Sequence, residues 1–142
     1  MRYFVLDTNF ILLYLRDSST ALNEVVTSYR LEENDAALIV SVVSIAEIDS
    51  LARRRNWGQQ KLNALNNFKR RLIIIDINVE DQRLIQTYVD LDVFSIANGR
   101  QMGKNDLWIA ATAFVTNATL VTSDGDFDHL TTQVQIVKIP LS

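Results

Sequence analysis

Five short apolar runs set the tightest limit on how this 142-residue chain can fold. They are YFVL (3–6), AALIVS (36–41), LIII (72–75), ATLVT (118–122) and VQIVKI (134–139). Most are continuously apolar rather than alternating, the pattern of strands buried on both faces of a parallel sheet. Helix-like stretches fill the gaps: 9–16 and 20–33, then 44–55 and 58–70, then 79–95 and 105–117. Asn98-Gly99 offers a stop for the fifth helix, because both residues tolerate left-handed backbone angles. This alternation predicts an α/β domain with a five-stranded, mainly parallel sheet and helices on both faces. The length fits one domain over 1–142, since domains run to roughly 100–150 residues. No internal repeat, low-complexity tract or linker interrupts it.

Composition narrows the chemistry. The chain has no cysteine, which excludes disulfides, thiolate metal sites, iron–sulfur clusters and cysteine nucleophiles. It also suits a reducing compartment, so the cytoplasm is the expected location. His129 is the only histidine, which excludes poly-histidine metal sites and most histidine-centred catalysis. His129 itself reads as a surface loop residue. Carboxylates, hydroxyls, Lys and Arg must carry any difficult reaction. The longest apolar run, Phe10 to Leu15, is far short of the ~20 residues that span a bilayer. The start MRYFVLDTNF, with an acid at position 7, does not read as a signal peptide.

Helices in βαβ units leave from the carboxyl edge of the sheet, where ligand sites of open α/β folds also lie. The acids collect at that edge. Asp7 follows the first strand in FVLDTN. Glu47 lies early in the helix after the second strand, in VVSIAEI. Asp106 opens the helix leading into the fourth strand, in GKNDLWIAATA. Asp124 follows that strand in LVTSDGDFDHL, with Asp126 two residues on. Two unit charges about 4 Å apart repel by ~4 kcal/mol at an effective dielectric of 20. Such a group must take up protons or a cation. With only Lys104 close in sequence, Mg²⁺ or Mn²⁺ is the expected neutraliser, held by Asp7, Asp106 and Asp124. Asn9, Thr122 and Ser123 offer neutral oxygens.

Each acid also has a structural explanation. Asp7 and Asp106 fit helix caps, Ser44-x-x-Glu47 fits a capping box, and Asp124-Gly125 is a common turn pair. Caps account for each acid separately but not for their shared edge.

Together these motifs resemble the PIN-domain ribonucleases, most closely the VapC toxins of bacterial toxin–antitoxin pairs. The resemblance runs from Met1 to near the C-terminus. Its marks are YFVLDTNFILLYL, the glutamate of VVSIAEI, the Gly-containing approach NGRQMGKNDLWIAATA, and LVTSDGDF. It implies a parallel sheet with helices on both faces and metal-dependent endonucleolytic cleavage of RNA, leaving 5′-phosphate and 3′-hydroxyl ends. The family's acids fall on Asp7, Glu47, Asp106 and Asp124, with Asp126 as an accessory. Relatives often carry Asn at the position of Asp124, and a Gly-containing stretch where this chain reads IDSLARRR. The resemblance further implies a homodimer and silencing by a small antitoxin protein.

Net charge is −3, but its distribution is uneven. Seven basic residues and no acid lie between Ser50 and Ile75; the rest of the chain is net −10. A basic module beside an acidic cleft suits a phosphate backbone cut at a metal. Arg54, Arg70 and Lys104 are the candidate RNA contacts, with Trp57 and Phe68 as stacking platforms. The alternative is a solvated helix pair whose arginine stems cover apolar surface. The stretch Phe10 to Leu15 is apolar all round, which calls for packing on more than one side, against another helix or a second subunit. Thr8 reads as a helix-start residue rather than a nucleophile.

Three rival readings remain. A haloacid-dehalogenase-type phosphatase wants a second Asp where Asn9 stands. A dinucleotide binder wants a Gly-rich loop after the first strand. A non-catalytic PIN-like module that docks RNA or protein would not need the acids.

Overall fold

The computed structural model describes residues 1–16 and 19–140. Its elements run in the predicted order. Strand β1 (Arg2–Leu6) leads to helices α1 (Thr8–Arg16) and α2 (Thr20–Ser28). Strand β2 (Ala36–Ser41) leads to α3 (Val42–Arg54) and α4 (Gln59–Lys69). Strand β3 (Leu72–Ile75) leads to α5 (Gln82–Ala97) and α6 (Lys104–Val115). Strand β4 (Thr119–Thr122), a 3-10 helix (Gly125–Leu130) and β5 (Ile136–Lys138) complete the chain.

The sheet has the order β3-β2-β1-β4-β5, and every neighbouring pair is parallel. Continuous apolar runs demanded two covered faces, and the central strands have both, whereas Ile73 and Ile74 of the edge strand β3 stay exposed. Val5, Ile39 and Leu120 face a core built with Leu84 and Leu91 of α5 and Leu107 to Ala113 of α6. Phe4, Leu6, Leu38, Val40 and Val121 face the other core, with residues of α1, α2, α3 and α4. The alternation of Phe4, Val5 and Leu6 between the two cores is the period-2 geometry of a strand. Small residues Ala110, Ala111 and Ala113 let α6 lie close on the sheet.

Helix ends explain where prediction and structure part. α5 ends as expected: Gly99 has φ 76°, Arg100 N–H donates to Ser95 O, and Gly99 N–H to Ile96 O. That pair of bonds is a Schellman motif. α2 stops at Ser28 rather than 33 because Arg30, at φ 50°, makes the same turn: Leu31 N–H donates to Val26 O and Arg30 N–H to Thr27 O. Arg30 carries no compositional mark of a helix stop. β5 is three residues long, shorter than the apolar run 134–139. α1 packs on α2, α3, α4 and β4, which bury Phe10 and Ile11 fully and leave Leu12, Leu13, Tyr14 and Leu15 partly exposed. No described helix is long and apolar enough to cross a membrane.

Candidate metal and nucleic-acid site

The strand order reverses at β1, whose neighbours β2 and β4 lead off in opposite directions. Ligands of open α/β sheets bind in the crevice at such a point, beyond the carboxyl ends of the strands. Asp7 directly follows β1 there and is only 3% exposed. Its Oδ2 accepts a hydrogen bond from Thr122 Oγ1 at 2.6 Å, across the β1–β4 pair. Thr122 Oγ1 in turn accepts from the Asp124 N–H at 2.9 Å. Asp124 Oδ1 accepts from the Asp126 N–H at 2.9 Å and caps the 3-10 helix. The turn-forming role of Asp124 is therefore real, and it coexists with a place in the cluster.

The capping-box reading of Ser44 and Glu47 fails. α3 starts at Val42 with Ser41 as its cap, whose Oγ accepts from Val43 N–H. The Glu47 carboxylate is turned toward α1 instead, where Thr8 Oγ1 lies 2.9 Å from both Glu47 Oε1 and Ser44 Oγ. Thr8 thus aims the glutamate from the α1 start. Asp106 does not cap α6 either, since Gly103 holds that position. Asp106 sits in the first turn, where the helix dipole favours a carboxylate.

Asp106, Asp124 and Asp126 each offer a carboxylate oxygen within 4.8 Å of the others'. Asp126 thus joins Asp106 and Asp124 in this grouping; Asp7, held on Thr122, lies outside it and is still the neighbouring charge that acts most strongly on Asp106. Like charges and burial mark the cluster electrostatically. Desolvation, opposed by the Thr122 hydrogen bond and assisted by Asp124 and Glu47, lifts Asp7 to about 6. Desolvation and the charges of Asp7, Asp124, Asp126 and Glu47 lift Asp106 to about 7. None of the five acids belongs to an ion pair among the described residues; the pairs formed are Arg2–Asp35, Arg30–Glu33, Lys69–Asp49 and Lys138–Asp128. An all-oxygen donor set with uncompensated charge fits a hard divalent cation.

Beside the acids, between α1 and α3, lies a groove of about 500 Å³ whose lining includes Thr8, Asn9, Glu47, Arg54 and Asn105. Arg54 therefore reaches the acid edge, and Lys104 opens α6 on the same edge. Arg70 does not. It lies two residues before β3, at the amino edge of a parallel sheet, and its guanidinium lies 3.3 Å from Asn67 Oδ1. The basic module is divided further: Lys69 pairs with Asp49, and Lys61 covers Trp57 with its Nζ 4.0 Å from the ring centroid. Phe68 is buried against Tyr14 and cannot stack on a base. His129 is also not the expected surface residue. It is half-buried and hydrogen-bonded to Ser95 of α5, which sequence reading missed because the partners lie 34 positions apart.

The sequence matches the model of the PIN domain over residues 4–132. No curated protein matches it. Among solved structures, it is similar to VapBC2 from Rickettsia felis bound to a DNA fragment from their promoter, at 24% identity and a TM-score of 0.80, covering 97% of this chain and 99% of that one. VapBC-1 from nontypeable Haemophilus influenzae gives 24% identity and 0.74, covering 96% and 97%. VapBC-5 of the VapBC toxin–antitoxin family, from Mycobacterium tuberculosis, gives 21% and 0.68, covering 99% and 100%. At these identities the likeness is one of fold.

Proposed function

Since the chain belongs to the PIN-domain family, whose nucleases generally use a divalent metal, we propose that it is a Mg²⁺- or Mn²⁺-dependent endoribonuclease, the toxin of a toxin–antitoxin pair. The observation that carries the reading is the uncompensated acid cluster at the topological switch point. Asp106, Asp124 and Asp126 face one another closely enough to share an ion, with Asp7 and Glu47 adding charge from behind. A divalent ion held by these acids would lower the pKa of a water and neutralise charge on a phosphate. Thr122 fixes the rotamer of Asp7, and Thr8 fixes that of Glu47. Whichever of Asp124 and Asp126 is not committed to the ion would take the proton of the attacking water. Arg54 and Lys104, on the same edge, offset the flanking phosphates that acids alone would repel. The ends left would be a 5′-phosphate and a 3′-hydroxyl.

Residues 1–142 act in this reading as one nuclease domain working in the cytoplasm, silenced by a small antitoxin protein. Support for the partner is the likeness to VapBC complexes. A homodimer is supported by Val89, Val93 and Ile96, an exposed stripe at i, i+4 and i+7 on α5.

The test is cleavage of an RNA pool with Mn²⁺ or Mg²⁺ and with EDTA. Cleavage is expected with metal only, and to fall by at least about 100-fold in Asp7→Asn and Asp106→Asn. Cutting that persists in EDTA, or in both variants, refutes the assignment. A protein that neither cuts RNA nor takes up Mn²⁺ in calorimetry is the non-catalytic module.

A further inference from the structure

We propose that Ser95 and His129 are a positioning pair that holds the acid-bearing 3-10 helix at the metal site, an inference resting on the metal-dependent reading above. Ser95 is fully buried in the last turn of α5, and its Oγ lies 2.7 Å from His129 Nε2. The contact joins two segments that are otherwise separate in the chain. The α5 end of it is rigid: Ser95 O accepts both the Asn98 and the Arg100 N–H in the turn closed by Gly99.

The other end sits on a helix that needs an anchor. A 3-10 turn has poorer hydrogen-bond geometry than an α-helix, and its residues i and i+3 eclipse on one side. Asp126 and His129 stand in that relation, so fixing the imidazole fixes the side on which the Asp126 carboxylate projects. The remaining sides are committed. Phe127 and Leu130, also i and i+3, are fully buried in the core. Asp128 pairs with Lys138 Nζ at 2.8 Å, and Arg100 Nη2 lies 3.5 Å from Gly125 O. Each of the three sides is thus tethered, and α5 with the turn that closes it supplies two of the tethers.

The anchor opposes a definite force. Asp126 is exposed and carries the same charge as Asp106 and Asp124, so repulsion drives it outward wherever no cation holds it. The chain also accepts a cost for the contact, because His129 Nδ1 is buried with no hydrogen-bond partner. Hydrophobic filling alone would be served better by Leu or Phe.

Calorimetric Mn²⁺ titration of the full chain tests the pair, alongside the unfolding midpoint in EDTA. Ser95→Ala and His129→Leu are each expected to raise the Mn²⁺ Kd about 10- to 100-fold, as loss of a partner that orients a ligand does. The double variant should be no weaker than either single one, and His129→Gln, which keeps a polar atom near Ser95, should recover most of the loss. Arg100→Ala, on the surface, should raise Kd a few-fold even if the buried variants fail to fold. Folded variants with Kd within twofold of the parent, or His129→Gln as weak as His129→Leu, overturn the pair while leaving the metal site standing. A parent protein that takes up no Mn²⁺ overturns both.

Discussion

Asp106 shows at the scale of one residue how a site opposes its own fold. Burial and four neighbouring acids raise it to about 7, and Asp7 to about 6. Between about pH 4 and pH 7 both groups hold more protons folded than unfolded. Stability of the metal-free protein therefore falls as pH rises through that window and levels off above it. Asp106→Asn removes the charge but keeps the shape. In EDTA at pH 8 this variant should be more stable than the parent by about 1 kcal/mol, allowing for solvent screening of a half-exposed group, or a few degrees in Tm. Below about pH 4 the advantage should vanish; a Tm gain independent of pH contradicts the electrostatic account. Sequence placed this acid at the carboxyl edge from the alternation of strands and helices. It could not show that Thr122 would bond Asp7 or that Asp126 would come within reach of Asp106 and Asp124, because those distances depend on rotamers.

Among the described residues, helices of this chain end four times by one device. Arg30, Asn56, Gly99 and Asn117 all have positive φ, and in each case the next residue's N–H returns to a carbonyl five positions back: Leu31 to Val26, Trp57 to Ala52, Arg100 to Ser95 and Ala118 to Ala113. Gly99 and the two asparagines are residues that tolerate the left-handed region, so those stops are readable in principle. Arg30 is not, which is why helix two was expected to run to 33. The same comparison predicts opposite responses to glycine. Gly99→Ala meets no atom within 4 Å, so its cost is backbone strain alone, about 1 kcal/mol. Arg30→Gly relieves that strain, loses exposed attractions to Glu33 and Asp35 and adds the chain entropy of a glycine, for a net gain of a few tenths of a kcal/mol. Urea unfolding of the two variants measures both; shifts of the same sign would contradict the assignment.

For the whole molecule, the parallel sheet sorts charges by edge. Seven basic residues close in sequence do not form one surface, since Arg54 lines the groove beside Glu47 whereas α4 delivers the chain to the amino edge of β3. Arg54→Glu should therefore weaken RNA binding about tenfold and flatten its salt dependence by roughly one charge, whereas Arg70→Glu should leave both nearly unchanged. Filter binding across a salt series reads the difference, and equal losses would restore a continuous basic surface. Self-association belongs to this scale too. Placing Glu at Val93 and Ile96 together should shift sedimentation to a single-chain species if the α5 stripe is the dimer face. An unchanged sedimentation coefficient would remove α5 from that role.

The apolar runs and the spacing of DTN, Glu47, Asp106 and Asp124 were enough to determine the α/β class, the parallel sheet and the edge on which the acids gather. Periodicity and strand direction are local properties, and they are written along the chain. Tertiary structure alone decided which acids come within 4.8 Å of one another, that Phe68 is core, that Arg70 lies at the far edge, and that the single histidine is tied to Ser95. Those outcomes depend on helix phase and on side-chain packing between segments far apart in the chain. No periodic signal carries that information.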